Sequence, residues 1–453
     1  MMESNSRITH AFTERPRRKE VWALYEEHLD EAAFRWSQWE KALDAPDYTL
    51  AEMAELEENL ASNVDALVLG GERVARRLLE PALAEDEAER IVVATLALLG
   101  SEAPTGPAAV LAALAQAEPP ALAALQRALE LAAPPVIAAE LPSLLKKEDA
   151  VPELLALVLD TLGAHGLATA PLCTPFFSHP EPQVSAAALR AAGRVRLPLE
   201  PAVLRRALDS GEHQVRDAAI VAGLSGGHRS AWGACLAAVE SRTPDCRLPL
   251  LLQGMGGDER ETKRLLELLS DDALRPDVVW ALGFTGRVAA ADACMELMRQ
   301  ESVAALAGEA FCAITGLRLE GRYATRRQEP RAEEPLPLEQ EDLDADLVPK
   351  PEDALPLPQA DEVAGWWQKA RSRLDARRRH LAGQSFTPQV LLDALVCAPM
   401  RRRHALSLEL ALRSRGALQV PTRGFLDRQS AAWQHARSVP PSTFSRPFTE
   451  GLR

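Results

Sequence analysis

Few residues in the chain have types and spacing that could do chemistry. Gly223-Leu224-Ser225-Gly226-Gly227 matches G-x-S-x-G, the turn that projects a nucleophilic serine between a strand and a helix. The residues before it read as helix, so no nucleophile elbow is expected there. The sequence contains no H-E-x-x-H, no P-loop and no dinucleotide fingerprint. His28, His165, His179, His213 and His228 stand singly, whereas a metal needs converging ligands. The six cysteines (Cys173, Cys235, Cys246, Cys294, Cys312 and Cys397) form no C-x-x-C and no close pairs. They read as small core residues rather than a secreted disulfide framework. Asp342-Leu343-Asp344-Ala345-Asp346 begins like a calcium loop, but Leu347 takes the glycine position and Asp353 that of the bidentate glutamate. No catalytic residue, metal or cofactor is therefore expected, and the chain reads as a non-enzyme.

Binding chemistry has better candidates. Trp36 and Trp39 lie on one stripe of an N-terminal helix and could build an aromatic cage, although such spacing usually means packing between helices. Trp366 and Trp367 could stack on bases, and Arg401, Arg402, Arg403 with His404, like Arg377 to Arg379, could grip phosphates. The competing reading makes these arginines a solvated face, or has them neutralised by the acidic body of the same chain.

Charge is distributed unevenly. Of 453 residues, 65 are Asp or Glu and 51 are Lys or Arg, a net charge of −14. Residues 329–353 hold ten acids and two bases, while 366–453 hold sixteen bases and five acids. An acidic body thus precedes an acidic linker and a basic tail. A chain this acidic repels nucleic acid at long range, which disfavours but does not remove a nucleic-acid role for the tail.

The elements that must position these residues read as helical throughout. Ala and Leu dominate, β-branched runs are scarce, and 33 Pro with 25 Gly punctuate the chain. Val21 to Leu43 has the three-four spacing of an amphipathic helix, and Thr49 with Glu52 forms a capping-box signal for a second helix ending at Gly70-Gly71. From Gly100 onward a glycine recurs at the end of apolar runs: TLALLG100, LDTLG163, LRAAG193, AIVAG223, LLLQG254, VVWALG283 and AFCAITG316. Steps of about 30 residues, with Ala133 dividing the long first gap, mark a repeat of two short helices. The glycine either accepts a left-handed conformation or lets a neighbouring backbone approach. Such pairs cannot bury an apolar face alone and must stack. Beyond the repeats, VAGWWQKARSRLDARRR (363–379), Pro388 to Val396 and Arg401 to Leu412 read as helices.

The second helices, VSAAALRAAG and VRDAAIVAGL, resemble HEAT-like repeats over residues 87 to 320. The expected fold is an all-α solenoid of HEAT-like two-helix repeats (85–320) with an N-terminal helical cap (1–84), an acidic Pro-rich linker (321–360) and a basic C-terminal helical region (361–453). Further stretches resemble an uncharacterised proteobacterial family of HEAT-like proteins, some encoded near type VI secretion genes: EEHLDEAAFRWSQWEKAL, YTLAEMAELEENLASNVDALVLGGE, AFCAITGL, the Trp366-Trp367 pair and RRRHALSLELAL. The resemblance implies a non-enzymatic scaffold or adaptor with a secretion-associated protein partner, and supplies no catalytic residue to carry over.

These readings lead to a protein-binding solenoid that offers an acidic surface to a basic partner. The alternative is a nucleic-acid-binding HEAT-like protein or enzyme using the basic C-terminal region. A third expectation is that the acidic linker folds back on the basic tail, or that the tail docks on the acidic repeats, so that a partner competes for the same charges. The first twenty residues lack the apolar core of a signal peptide, and Thr161 to Pro180 is too rich in Gly and Pro to span a membrane, so a cytoplasmic chain is expected.

Overall fold

The computed structural model describes residues 22–101, 105–133, 137–147, 149–242, 245–325 and 350–453. Helix dominates, as the alanine- and leucine-rich composition requires. The calcium-like run from Asp342 to Asp346 and most of the acidic linker lie outside the described residues.

Helices α1 (Trp22–Ala42) and α2 (Leu50–Leu69) pack as an antiparallel pair. Thr49 and Glu52 close the capping box at the start of α2, where the Thr49 hydroxyl accepts from the Glu52 amide and the Glu52 carboxylate accepts from the Thr49 amide at 2.7 Å. The solenoid follows. Its inner row consists of α3 (Ala88–Gly100), α4 (Pro119–Leu131), α5 (Pro152–Ala164), α6 (Pro182–Val195), α7 (His213–Ser225), α8 (Arg247–Gly256), α9 (Arg275–Thr285) and α10 (Ala304–Thr315). Shorter outer helices such as Pro201–Leu208 and Val288–Leu297 connect them.

The recurrent glycine has a definite job. A Cβ on Gly163 would come within 2.7 Å of the Ala191 Cα, one on Gly193 within 3.2 Å of the Ala222 Cα, and one on Gly283 within 3.0 Å of the Ala310 Cα. Helices α5, α6 and α9 therefore each meet the next inner helix backbone to backbone at the glycine, against an alanine. Of the two roles open to the repeat glycine, close approach applies here, while Gly316 (φ 75°) takes the left-handed one.

The stack is continuous except between α7 and α8. There the inner helices barely touch, and the outer helix Arg229–Glu240 joins them. The buried core divides near the same place, with Val239 to Leu317 forming a second cluster with Val363, Trp367 and Ala370.

After α10, β1 (Ala324–Thr325) pairs with β2 (Leu357–Pro358), so the two ends of the acidic linker are pinned together. Four helices follow, with a small hairpin of β3 (His380–Leu381) and β4 (Gln384–Ser385) between the first two. They are α11 (Ala360–Ala370), α12 (Pro388–Cys397), α13 (Met400–Arg413) and α14 (Leu426–Ser438). Helix α11 stops well short of the run expected to Arg379. Arg371 turns out of it to grip Asp292 at 2.9 and 2.8 Å, and the chain then extends into the hairpin.

Candidate functional site

Helix α13 carries Arg401, Arg402, Arg403 and His404, half of the binding candidates singled out in the sequence, and it is buried nearly all round. Eleven of its fourteen residues are buried, among them Arg401, Arg402, Arg403, Glu409 and Arg413. Its first turn meets both ends of the solenoid. The amides of Met400 and Arg401 donate to Tyr48 and Ala45 in the α1–α2 turn, while the Arg401 guanidinium lies 3.5 Å from Glu309 of α10 and 4.6 Å from the Trp280 ring centroid of α9. Leu406, Leu410 and Leu412 share the first core cluster with Leu252, Met255, Trp280 and Phe284 beyond the break. The helix is thus a hub spanning the gap between α7 and α8.

This placement corrects the reading of Arg401, Arg402 and Arg403 as a phosphate grip or a solvated face. Arg402 donates to the Gly283 carbonyl at 3.1 Å and sits 4.0 Å from the Phe284 centroid. Arg403 donates to the Leu395 carbonyl at 2.5 Å and to Gln429 at 2.7 Å. Burial pulls both guanidiniums down to about 10. Acids of the same chain face Arg401 and Arg402, Glu309 from the solenoid and Glu352 from the linker, while the bonds of Arg403 go to neutral groups.

Two carboxylates around the hub are pushed in opposite directions. Burial opposes ionisation of Glu409, but Arg379 and Arg413 bond to it directly and hold its carboxyl below the usual range. Burial also dominates at Glu309, whose arginine neighbours at 3.5 and 4.0 Å complete no hydrogen bond, and its carboxyl is raised.

The rest of the basic tail explains its own charge. It runs along the C-terminal ends of the inner helices and donates to their open carbonyls. Arg428 reaches Glu130 of α4 at 2.7 Å, Gln419 reaches Arg194 of α6 at 2.6 Å, and Arg415 reaches Leu224 of α7 at 3.0 Å. Arg379 bridges Met255 of α8 and Phe284 of α9, and the Gly383 amide reaches Ile314 of α10 at 2.9 Å. Helix C-termini leave carbonyls unsatisfied and carry partial negative charge, so a cationic strap is what this edge accepts. The expected docking of the tail on the repeats is realised through carbonyls more than through carboxylates.

The other candidates are placed as follows. Trp36 and Trp39 are buried with ring centroids 5.2 Å apart, and Phe425 of the strap covers Trp39 at 5.2 Å. They pack helix on helix and enclose no cage. Trp367 is buried against Phe311 and donates to Asp292 at 2.8 Å, with half-buried Trp366 stacked on it. His404 is held at both ring nitrogens, by Thr422 at 2.8 Å and the Leu43 carbonyl at 2.9 Å. Since a carbonyl can only accept, Nε2 carries the proton.

His404 also lines a cleft of about 650 Å³ between α5–α7 and the strap. Arg190 and Arg194, one turn apart on α6, both lean on Asp160 behind them, and Arg423 and Arg428 face them from the strap. The cleft offers guanidiniums over an apolar floor, and in its lining the hydroxyl of the buried Thr422 meets His404 Nδ1. Ser225 is the last residue of α7, in helix rather than a strand-to-helix turn. Among the described residues no cluster of His, Cys, Asp or Glu is placed to hold a metal. Burial pushes the Cys173 thiol up to about 11 and that of Cys294 to about 12, which makes both inert.

A second surface feature escaped the sequence reading. Phe34 on α1 is 54 % exposed, in an open hollow of about 570 Å³ with Asp30, Glu87, Glu89 and Arg90 around it. Glu26, Glu27 and Asp86 are also exposed nearby in the chain. The three-four spacing of α1 marks one buried stripe, and Phe34 stands off it.

Glu57 of α2 ties the cap to the strap by accepting from the Leu426 amide at 2.8 Å. Burial raises its carboxyl to about 7, outweighing that bond. The folded state therefore holds a proton that the unfolded state releases near pH 4.3, and stability should fall as pH rises from there to about 7. Glu57→Gln should flatten that slope, gaining on the order of 1 kcal/mol at pH 8 after discounting for partial solvent contact, and nothing at pH 4. Urea unfolding at the two pH values checks it.

No protein-family model matches the chain, and no curated protein matches it. No helix among the described residues is long and apolar enough to cross a membrane.

Proposed function

We propose that the protein is a non-enzymatic scaffold or adaptor whose acidic solenoid surface binds a protein segment carrying basic residues around an apolar anchor. The observation that carries this reading is Phe34, a large aromatic left exposed among Asp30, Glu87 and Glu89. Aromatic anchors rimmed by charge are what binding surfaces use, and carboxylates speed the approach of a basic partner. The family resemblance makes secretion-associated proteins the first partners to try.

The test compares proteins retained by the native chain and by Phe34→Ala combined with Asp30→Lys and Glu87→Lys, at low and high salt. A partner held by the native chain, weakened by salt and lost by the variant supports the reading. A partner held equally by both, or turnover of a small molecule by the pure chain, overturns it.

The nucleic-acid alternative keeps Arg373, Arg377 and Arg378, which are exposed on the strap, but loses Arg401 to Arg403. Filter binding must use the full chain, because the strap depends on the helix ends it caps. No retention of DNA or RNA at low salt is expected.

A further inference from the structure

A second hollow, of about 330 Å³, lies where the strap crosses the C-terminal end of α8. Arg287, Arg378, Arg379 and Arg413 line it, with hydroxyls from Ser385, Thr387 and Ser445. Four guanidiniums in so small a space on a chain of net charge −14 call for compensation. Two carboxylates supply part of it. Glu409, fully buried, is shared by Arg379 and Arg413, and Asp375 stands 3.7 Å from Arg378. Arg287 donates to the Arg377 carbonyl at 2.9 Å, which gives it a bond but no opposite charge. Two positive charges are left over.

The arginines are also held rigidly. Arg379 and Arg413 sit 4.3 and 4.4 Å from the centroid of the Phe386 ring, and Arg413 is 7 % exposed. Desolvation and the neighbouring Arg379 both disfavour the charge on Arg413, a strain that an added anion would relieve. Thr387, which lines the hollow, is the N-cap of the ten-residue helix α12, and its hydroxyl accepts from the Val390 amide. Guanidinium forks and hydroxyls match the oxygens of a compact tetrahedral dianion. The size stands at the lower end of small-molecule pockets.

We propose that this hollow binds a phosphoryl dianion, either free phosphate or the phosphate end of a small monoester, and so locks the strap onto the solenoid. The site is independent of the acidic surface around Phe34. Its ligand binds the folded form and should stabilise it by mass action.

The experiment is calorimetric titration and thermal unfolding of the full chain with low-millimolar inorganic phosphate, glycerol phosphate or chloride at matched ionic strength. The concentration stays low so that bulk salting-out plays no part. A saturable rise in melting temperature with phosphate or the monoester, and none with chloride, supports the site. Tighter binding of the monoester identifies it as the ligand class, and binding of phosphate alone identifies the free ion. Arg287→Gln with Arg378→Gln removes the two less buried guanidiniums and leaves the hub intact, so the unliganded variant should melt like the native chain. Its affinity should fall at least tenfold. Equal shifts with chloride and phosphate, or undiminished affinity in the variant, would overturn the proposal.

Discussion

Alanine in place of Glu409 should lower stability at neutral pH by about 3–5 kcal/mol, the range for removing one partner of a buried ion pair. Glu409 has no exposed surface and holds Arg379 and Arg413 together on the hub. Its loss would leave two guanidiniums beside Phe386 without the carboxylate they share. Arg379 would also be freer to leave the carbonyls of α8 and α9, so the damage should spread to the solenoid edge. Urea unfolding followed by circular dichroism measures the cost, and a change below 1 kcal/mol would show that the cluster does not hold the hub. The pH dependence has a fixed sign. A carboxyl lowered in the folded state stabilises above its unfolded value near 4.3 and ceases to do so as pH falls through the folded value. The difference between native and variant should therefore be largest near neutrality and shrink in acid. Replacing Arg413 as well, in a Glu409→Met, Arg413→Met double variant, should recover part of the loss, because apolar groups of similar volume tolerate burial. Full recovery is not expected while Arg379 stays unpaired.

The repeat could be seen in the sequence because packing imposed it. Helices α5, α6, α8 and α9 each touch the next inner helix at a glycine, where only a residue without a side chain fits. The spacing of Gly163, Gly193, Gly223, Gly254 and Gly283 thus records the length of the structural unit itself. Gly223 is the informative exception. A Cβ there would meet Ala231 and Leu204 within its own neighbourhood rather than the next inner helix, and this is where the stack is broken. Periodicity kept its beat across the gap and could not reveal it.

The strap was hidden for a different reason. Arg379, Arg415, Gln419 and Arg428 act by donating to main-chain carbonyls, which every residue possesses, so no complementary side chain marks the other half of each bond. The three arginines from 401 to 403 looked like a surface patch because charge usually means solvent. Only the packing around that one helix shows Arg401 and Arg402 meeting Glu309 of α10 and Arg403 meeting Leu395 of α12 and Gln429 of α14. Long-range contacts such as His404 with Leu43 carry no local sequence signal at all. Phe34 likewise sits on a helix whose stripe was read correctly, on the side the pattern does not report.

The glycine argument yields a two-sided result, with the same substitution changing sign between two helices. Gly233 lies in the exposed middle of the outer helix Arg229–Glu240, and a Cβ there meets nothing within 4 Å. Gly233→Ala should stabilise the protein by about 0.5–1 kcal/mol, since glycine sacrifices that much in a helix interior relative to alanine. Gly254 ends the run LLLQG on α8 and faces the backbone of α9, where a Cβ would overlap the Ala281 carbonyl oxygen and lie 3.1 Å from its carbon. A carbonyl cannot rotate aside as a side chain can, and this one belongs to a helix interior. Gly254→Ala must push α8 and α9 apart and should cost about 1–3 kcal/mol despite its better helix propensity. The displacement would also be felt by the hub, since Met255 caps onto Arg379 and Leu252 packs with the α13 core. The two variants differ in one methyl group each, so paired melting curves separate packing from propensity directly. If both alanines stabilise, the inner helices are not in the backbone contact that the repeat glycine implies, and the period of about 30 residues would need another cause.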